Sequence, residues 1–269
     1  MPELPEVETV ARGLQKHVAG DLIESVWIGH HPQPLKSSAA DIASVLEGST
    51  IDAARRVGKH IVVDLSRSGS QPAQWIIHLG MTGSVLVSTP GADLPKHTHL
   101  IAHLRSGREI RFVDPRRFGR LAVVAQPFEA PGGEPLDISL DAFIALFRGR
   151  KTPIKSALLN QKLLSGVGNI YADESLARAG IRPRRRTASL TRDELTLLYK
   201  ELKRVLRQAI KAGGSSVSDY VGAEGERGFF QLRHRVYGRE GQPCLTCKTP
   251  IKRVVIAGRS SHYCPKCQN

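Results

Sequence analysis

The chain has 269 residues, 41% of them apolar and 24% charged, with a net charge of +14 and a pI near 10.0. That is enough chain for one large or two medium domains with a full core, and the balance is that of a folded protein, not a disordered or fibrous one. No apolar run reaches the ~18 residues of a membrane span, and the start lacks the charged-then-apolar order of a signal peptide, so a cytoplasmic location is expected. No internal repeat is evident. The charge is lopsided: residues 1–150 carry 16 basic and 16 acidic side chains, whereas residues 151–269 carry 23 and 9. A second half that holds the whole excess points to a polyanion, with nucleic acid ahead of an anionic membrane surface.

The chain opens Met1-Pro2-Glu3-Leu4-Pro5-Glu6. An initiator Met before a small Pro is normally removed, which leaves a secondary amine at Pro2 beside the Glu3 carboxylate. A reference α-amino group has a pKa of about 7.7–8.0 against about 10.4 for Lys, so far more of it is uncharged at neutral pH, although proline's amine is somewhat more basic. Attack of such an amine on C1′ of a deoxyribose would give an iminium, release the base and permit strand cleavage by elimination. The plainer reading is that Glu3 and Glu6 only open a helix, where acidic side chains suit the dipole. Val7, Val10, Ala11, Leu14 and Val18 have helical period, which predicts a helix over 5–18. Short strands follow at 22–29, 60–65, 74–79, 84–88, 98–104, 109–113 and 119–125, separated by Gly and Pro. Their spacing predicts a β-sandwich or barrel-like domain.

Three stretches of that domain carry groups suited to DNA. Lys59 precedes a strand and His78 precedes Gly80 and Gly83, and either side chain could meet a phosphate. Met81 between those glycines is a candidate wedge between bases. The turn DPRRFGR at 114–120 offers Arg116 to a base edge and Phe118 as a stacking or wedging ring.

A Pro- and Gly-rich linker at 126–137 leads to helices at 139–148 and 191–212. Between them, GVGN ends in Asn169, which opens an apolar run and could present an amide to a phosphate. A helix–turn–helix that grips the backbone fits this pattern. Residues 213–230 hold five glycines and read as a mobile loop, with Tyr220 and Phe229 as contacts to an extruded base. The expected division is 1–130, 131–230 and 231–269.

Cys244-x₂-Cys247 and Cys264-x₂-Cys267, sixteen residues apart, have the spacing of two knuckles around one tetrahedral Zn²⁺. With four thiolates and no open position, such a zinc is structural. The intervening IKRVVIAGRSSHYC alternates like a β-hairpin with its turn at Gly258-Arg259-Ser260, which places Arg259 at a tip able to reach phosphate.

The start PELPEVETV, the turn DPRRFG, the GVGNIYADE segment and the ending VYGREGQPC…YCPKCQ together resemble the bacterial formamidopyrimidine-DNA glycosylases, the 8-oxoguanine repair enzymes of the Fpg/Nei family. The motifs run along nearly the whole chain in family order. The resemblance implies an α+β protein of two domains: an N-terminal β-sandwich with a leading helix, and a C-terminal helix–two-turn–helix domain with a four-cysteine zinc hairpin, with DNA between them. It implies a bifunctional glycosylase and AP lyase that excises oxidised purines through a Schiff base on Pro2 and cleaves the strand by β,δ-elimination. Glu3 is then the acid that assists sugar ring opening. Lys59, His78, Asn169 and Arg259 would hold the phosphates flanking the lesion, with Lys59 and Arg259 acting at the catalytic step. Met81, Arg116 and Phe118 would fill the gap left by the flipped nucleotide. Glu6, Ser216, Tyr220 and Tyr237 are the candidates to surround the base. The expected partner is duplex DNA with oxidised bases or abasic sites, bound by a monomer with one structural zinc and no redox or nucleotide cofactor. Two positions depart from the family: Lys248 stands where Gly is usual after Cys247, and His60 where an aromatic is common. An endonuclease VIII-type enzyme for oxidised pyrimidines and a non-enzymatic DNA-binding protein are the competing readings.

Overall fold

The computed structural model describes residues 1–30, 34–217 and 220–269. It divides into two compact units, residues 1–129 with 212–229, and residues 130–211 with 230–269. The first unit begins with α1 (Leu4–Val18), which has Pro5 in its first turn, where a missing N–H costs little. Glu3 is its N-cap, and Glu6 accepts the Glu3 N–H at 2.8 Å, one half of a capping box. The helix buries Leu4, Val7, Val10, Ala11, Leu14 and Val18, so the predicted stripe is the one that packs.

Among the described residues eight strands follow: β1 (Ile23–Ile28), β2 (Thr50–Val57), β3 (His60–Ser66), β4 (Ala73–His78), β5 (Ser84–Ser88), β6 (Thr98–Leu104), β7 (Glu109–Val113) and β8 (Arg120–Val124). They form two four-stranded antiparallel sheets, β1-β6-β7-β5 and β2-β3-β4-β8. Ile23, Leu100, Ala102, Ile110 and Phe112 from one sheet and Ile61, Val63, Trp75 and Ile77 from the other join the α1 stripe in one core. Each large side chain so buried is worth about 1.5–3 kcal/mol relative to exposure. The sandwich is therefore the predicted one. Two elements escape the sequence pattern, β2 and a short helix α2 (Ala39–Leu46) capped by Ser38. In β2 the residues Ala53, Ala54, Arg55 and Arg56 mask the alternation. In α2 only Ile42 and Leu46 are buried, too few to show a period.

The second unit contains α3 (Leu140–Phe147), α4 (Ile154–Leu159), α5 (Asn169–Arg178), α6 (Arg192–Lys211) and the hairpin β9 (Lys252–Ile256) and β10 (Arg259–Tyr263). In α6, Leu195, Leu198, Leu202, Val205, Leu206 and Ala209 are buried, and Thr191 and Glu194 exchange capping hydrogen bonds at 2.8 and 3.2 Å. One expectation is corrected here. The hairpin turns at Ala257-Gly258, both at positive φ (47° and 75°), and Arg259 opens β10. A two-residue turn with both residues left-handed matches the twist of the strands, which a turn centred on Arg259 would not.

By packing, residues 212–229 join the first unit and the zinc hairpin joins the helices, rather than a hairpin unit standing alone. The described part of 213–230 forms neither strand nor α-helix, and Ser218 and Asp219 lie outside the described residues.

Candidate functional site

In the first unit the chain start lies against two loops. Pro2 is buried beneath Met1, which is 46% exposed, and Glu3 and Glu6 are buried at the N-terminus of α1. Met1 lines a cavity of about 360 Å³ together with His78, Met81, Arg117, Phe118 and Arg120. Removal of Met1 would free the Pro2 nitrogen next to the position that Met1 occupies in that lining.

Pairing of β4 with β8 sets His78 opposite Arg120, which brings the loops at 79–83 and 114–119 side by side. Asp114, fully buried, ties them. Its carboxylate accepts from the Gly119 N–H at 2.7 Å, the Thr82 hydroxyl at 2.6 Å and the Arg116 N–H at 3.2 Å. Gly80 completes the junction: it has φ of 65°, and a Cβ there would lie 2.4 Å from the Phe118 carbonyl carbon. The result presents Met81 (42% exposed) and Phe118 (48% exposed), with the Arg116 guanidinium 4.7 Å from the Phe118 ring centre. Large apolar groups held out on fixed loops suit insertion between bases. Asp114→Ala is expected to leave the Gly119 N–H and the Thr82 hydroxyl without their acceptor, while the Arg116 N–H keeps the Thr82 oxygen at 3.3 Å, and to lower the unfolding free energy by about 2–4 kcal/mol, with Asp114→Asn intermediate. Denaturant unfolding measures this, and a change below about 0.5 kcal/mol would contradict it.

His78 accepts the Gly80 N–H on Nδ1 at 3.1 Å, which fixes its neutral tautomer with the proton on Nε2. Burial, aided by His60, Lys59 and Arg120, lowers its pKa to about 4, so at neutral pH it is an uncharged N–H donor. The His60 ring lies 4.9 Å from that of His78 and 4.7 Å from that of Phe128, tilted against both, so it makes aromatic contacts there, and burial lowers its pKa as well. With His78 near 4 when folded and 6.5 when unfolded, the unfolded chain takes the proton first. Stability is then complete above about pH 6.5 and is lost as pH falls towards about 4. His78→Gln should flatten the fall in melting temperature between these limits, and an unchanged slope would refute the shift.

Lys59 follows Gly58 in the two-residue turn between β2 and β3. Arg56 fastens that hairpin to α1 through Glu8 at 2.8 Å. Behind the chain start, Glu6 accepts the Ser215 N–H at 2.7 Å, and Tyr220 donates its hydroxyl to the Glu6 carbonyl at 3.3 Å. Burial and Glu6 raise the Tyr220 pKa. The Ser216 hydroxyl spans the loop, donating to the Tyr220 carbonyl and accepting the Gly228 N–H, each at 2.9 Å. Gly214 is required where the loop meets Glu6, for its φ is 82° and a Cβ would lie 2.8 Å from the carboxylate. Glu6, Ser216 and Tyr220 are thus brought together. Tyr237 belongs to the second unit, with its ring against His234 and His262.

In the second unit Asn169 is the first residue of α5 and donates to the Ser260 hydroxyl at 3.3 Å, beside Arg259. A buried network that the sequence reading missed fixes this junction. Lys155 on α4 donates to the Ser260 carbonyl and pairs with Asp173 on α5, both at 2.6 Å, and Asp173 accepts the His262 N–H at 2.9 Å. Lys155 and Asp173 side chains are fully buried, so loss of either would strand a charge. Glu174 accepts the N–H groups of Arg235, Val236 and Tyr237 at 2.9–3.0 Å.

The four cysteine sulfurs lie within 4.8 Å of one another, with Cys247–Cys264 at 3.4 Å and Cys244–Cys267 at 3.9 Å. A tetrahedral Zn²⁺ with Zn–S of ~2.3 Å requires sulfurs about 3.8 Å apart, so the donor set fits one structural zinc. Lys248 sits at φ of 65°, a conformation in which Gly is unstrained, yet its N–H still reaches the Cys244 carbonyl at 3.0 Å and closes the knuckle.

Comparison with known proteins follows this geometry closely. Residues 1–121 match the formamidopyrimidine-DNA glycosylase N-terminal domain, 131–221 the formamidopyrimidine-DNA glycosylase H2TH domain, and 241–269 the zinc finger found in FPG and IleRS. A formamidopyrimidine-DNA glycosylase of Solibacter usitatus is 46% identical, over 100% of this chain and 99% of its own. Among solved structures, MutM (FPG) from Thermus thermophilus is 40% identical with a TM-score of 0.87, covering 99% of this chain and 98% of its own. The complex between Lactococcus lactis Fpg and abasic-site DNA is 32% identical with a TM-score of 0.89, covering 99% of each chain.

Proposed function

The chain belongs to the formamidopyrimidine-DNA glycosylase family, and from that membership we propose that it is a DNA glycosylase and AP lyase of base excision repair acting on oxidised purines in duplex DNA. The observation that carries the reading is the buried Pro2–Glu3 pair at the opening of α1, next to Met1, which lines the cavity with Met81, Phe118 and His78.

Once Met1 is gone, the Pro2 amine attacks C1′ as the base departs with its electron pair and takes up a proton. Ring opening gives an iminium on C1′, with Glu3 as the acid that protonates the ring oxygen. Loss of a C2′ proton then expels the 3′ phosphate, and a second elimination expels the 5′ phosphate. Lys59, neutral His78 through Nε2–H, Asn169 and Arg259 hold phosphates. Flipping costs a few kcal/mol and is cheapest at a damaged pair, and Met81, Arg116 and Phe118 lower that cost by filling the vacancy. Glu6, Ser216, Tyr220 and Tyr237 are assigned to the extruded base, and the basic second unit supplies affinity that ignores sequence.

The test is a panel of duplexes bearing 8-oxoguanine, a formamidopyrimidine or thymine glycol. Preferential excision of the two purine lesions is expected. Excision of thymine glycol alone would place the chain with the pyrimidine-specific enzymes, and binding without excision would leave only a DNA-binding protein.

A further inference from the structure

Besides the stripe that packs in the core, α1 has a second face that another segment occupies. Glu6, Thr9, Gly13 and His17 are spaced three and four residues apart, so they lie along one side of the helix. Near its start Glu6 receives the Ser215 N–H, and the Tyr220 hydroxyl reaches the Glu6 carbonyl with the Thr9 side chain beside it. Further along, Ala223 is 1% exposed and sits so close to Gly13 that a Cβ there would lie 2.6 Å from the Ala223 methyl. At the far end Glu224 pairs with His17.

Residues 222–226 form a turn closed on itself, with the Gly222 N–H on the Glu226 carbonyl at 2.8 Å and the Gly225 N–H on the Gly222 carbonyl at 3.0 Å. The Ala223 carbonyl also accepts the Val87 N–H at 2.8 Å, from β5 at the edge of its sheet. An edge donor that a sheet leaves open is thereby filled. The turn is a preformed foot, seated between α1 and β5. The backbone at Gly13 is ordinary helix, so a glycine there costs stability and returns only the space that Ala223 fills.

We propose that Gly13 and Ala223 are positioning residues that set the register of the base-facing segment on α1, and that base removal depends on this register while strand cleavage at an abasic site does not. The proposal rests on the reading above that assigns Ser216 and Tyr220 to the extruded base. Tyr220 stands three residues before Ala223, and the Ser216 hydroxyl is bonded to the Tyr220 carbonyl, so a displaced foot carries both. The same helix opens at Glu3, next to Pro2, so α1 sets the separation between the base-facing groups and the nucleophile. An abasic site needs the amine but offers no base to hold.

The experiment uses the full zinc-loaded, Met1-free chain and two variants, Gly13→Ala and the exchange that combines Gly13→Ala with Ala223→Gly. The single change sets a methyl against Ala223 while raising helix propensity, so the melting temperature should stay within about 4 °C of wild type. Under single turnover, its excision of 8-oxoguanine should slow by about 10–100-fold, the scale of an ångström-sized misplacement, while cleavage at a preformed abasic site holds within about twofold. Trypsin cutting after the exposed Arg227 should quicken in the DNA-free variant, because the segment has lost its seat. The exchange moves the methyl from one partner to the other and should return all three readings to within about threefold of wild type. Wild-type excision by Gly13→Ala, an equal loss on both substrates, or an exchange as impaired as the single change would each overturn the proposal. If the wild-type chain excises no 8-oxoguanine, the base assignment fails, and the trypsin comparison still decides whether Gly13 and Ala223 seat the segment.

Discussion

A chain whose Pro2 stays acylated, by Met1 or by an N-terminal tag, should lose base excision by at least about four orders of magnitude, the scale of removing an essential nucleophile. The physical reason is that an amide nitrogen shares its lone pair with the carbonyl and cannot attack a sugar carbon. Pro2 is buried next to Met1, which lines the cavity, and Glu3 is fixed as the N-cap by the hydrogen bond from its N–H to Glu6. Acylation therefore blocks the amine without disturbing the elements around it. DNA affinity should fall far less than turnover, because the proposed phosphate contacts at Asn169 and Arg259 belong to the second unit, whereas His78, Met81 and Phe118 share a cavity with Met1. Cleaving the tag to leave Pro2 first should restore activity in the same preparation, which separates nucleophile loss from misfolding. Equal turnover before and after cleavage would remove the terminal amine from the mechanism.

Cys264→Ser, or chelation of the zinc, should unfold the hairpin and cut DNA affinity by about a hundredfold or more. Two five-residue strands cannot stand alone in water. The apolar cluster beneath them is small, with Val236 and Ile251 beside the buried Cys244 and Cys264. Structural zinc contributes about 10–16 kcal/mol in zinc-finger peptides, far more than that cluster supplies. With the hairpin gone, Arg259 and Ser260 lose their places and Lys155 loses the Ser260 carbonyl. The check is metal content of one zinc per chain alongside DNA titration of wild-type, chelated and variant chains. Full affinity in the metal-free chain would refute the structural role.

What the sequence made legible follows from the range of each signal. The cysteine spacing, the stripes of α1 and α6 and most strands are local patterns, and the zinc site and sandwich are readable from them. The groups that fix the site are not local in this way. Asp114 reads as a solvated turn residue in DPRRFGR, and only the pairing of β4 with β8 shows that it holds the Met81 and Phe118 loops. An Asp directly before Pro in a turn, able to accept turn N–H groups, is the available clue. Asp173 and Glu174 sit among Ile170, Tyr171, Ala172 and Leu176 on a buried helix, a setting that requires buried partners. Those partners, Lys155 and His262 for Asp173 and the 235–237 backbone for Glu174, lie too far along the chain for periodicity to reveal. The turn at Ala257-Gly258 is displaced from its expected place because Ala seldom takes positive φ, so the glycine reads as the turn's start and not its end.

The most direct measurement is borohydride trapping of the Met1-free chain on duplex DNA with 8-oxoguanine opposite cytosine, followed by peptide mapping of the cross-link. The account predicts one adduct, on the nitrogen of Pro2, formed in step with base release. An adduct on a lysine, or tight binding with no adduct on either this lesion or an abasic site, would contradict it.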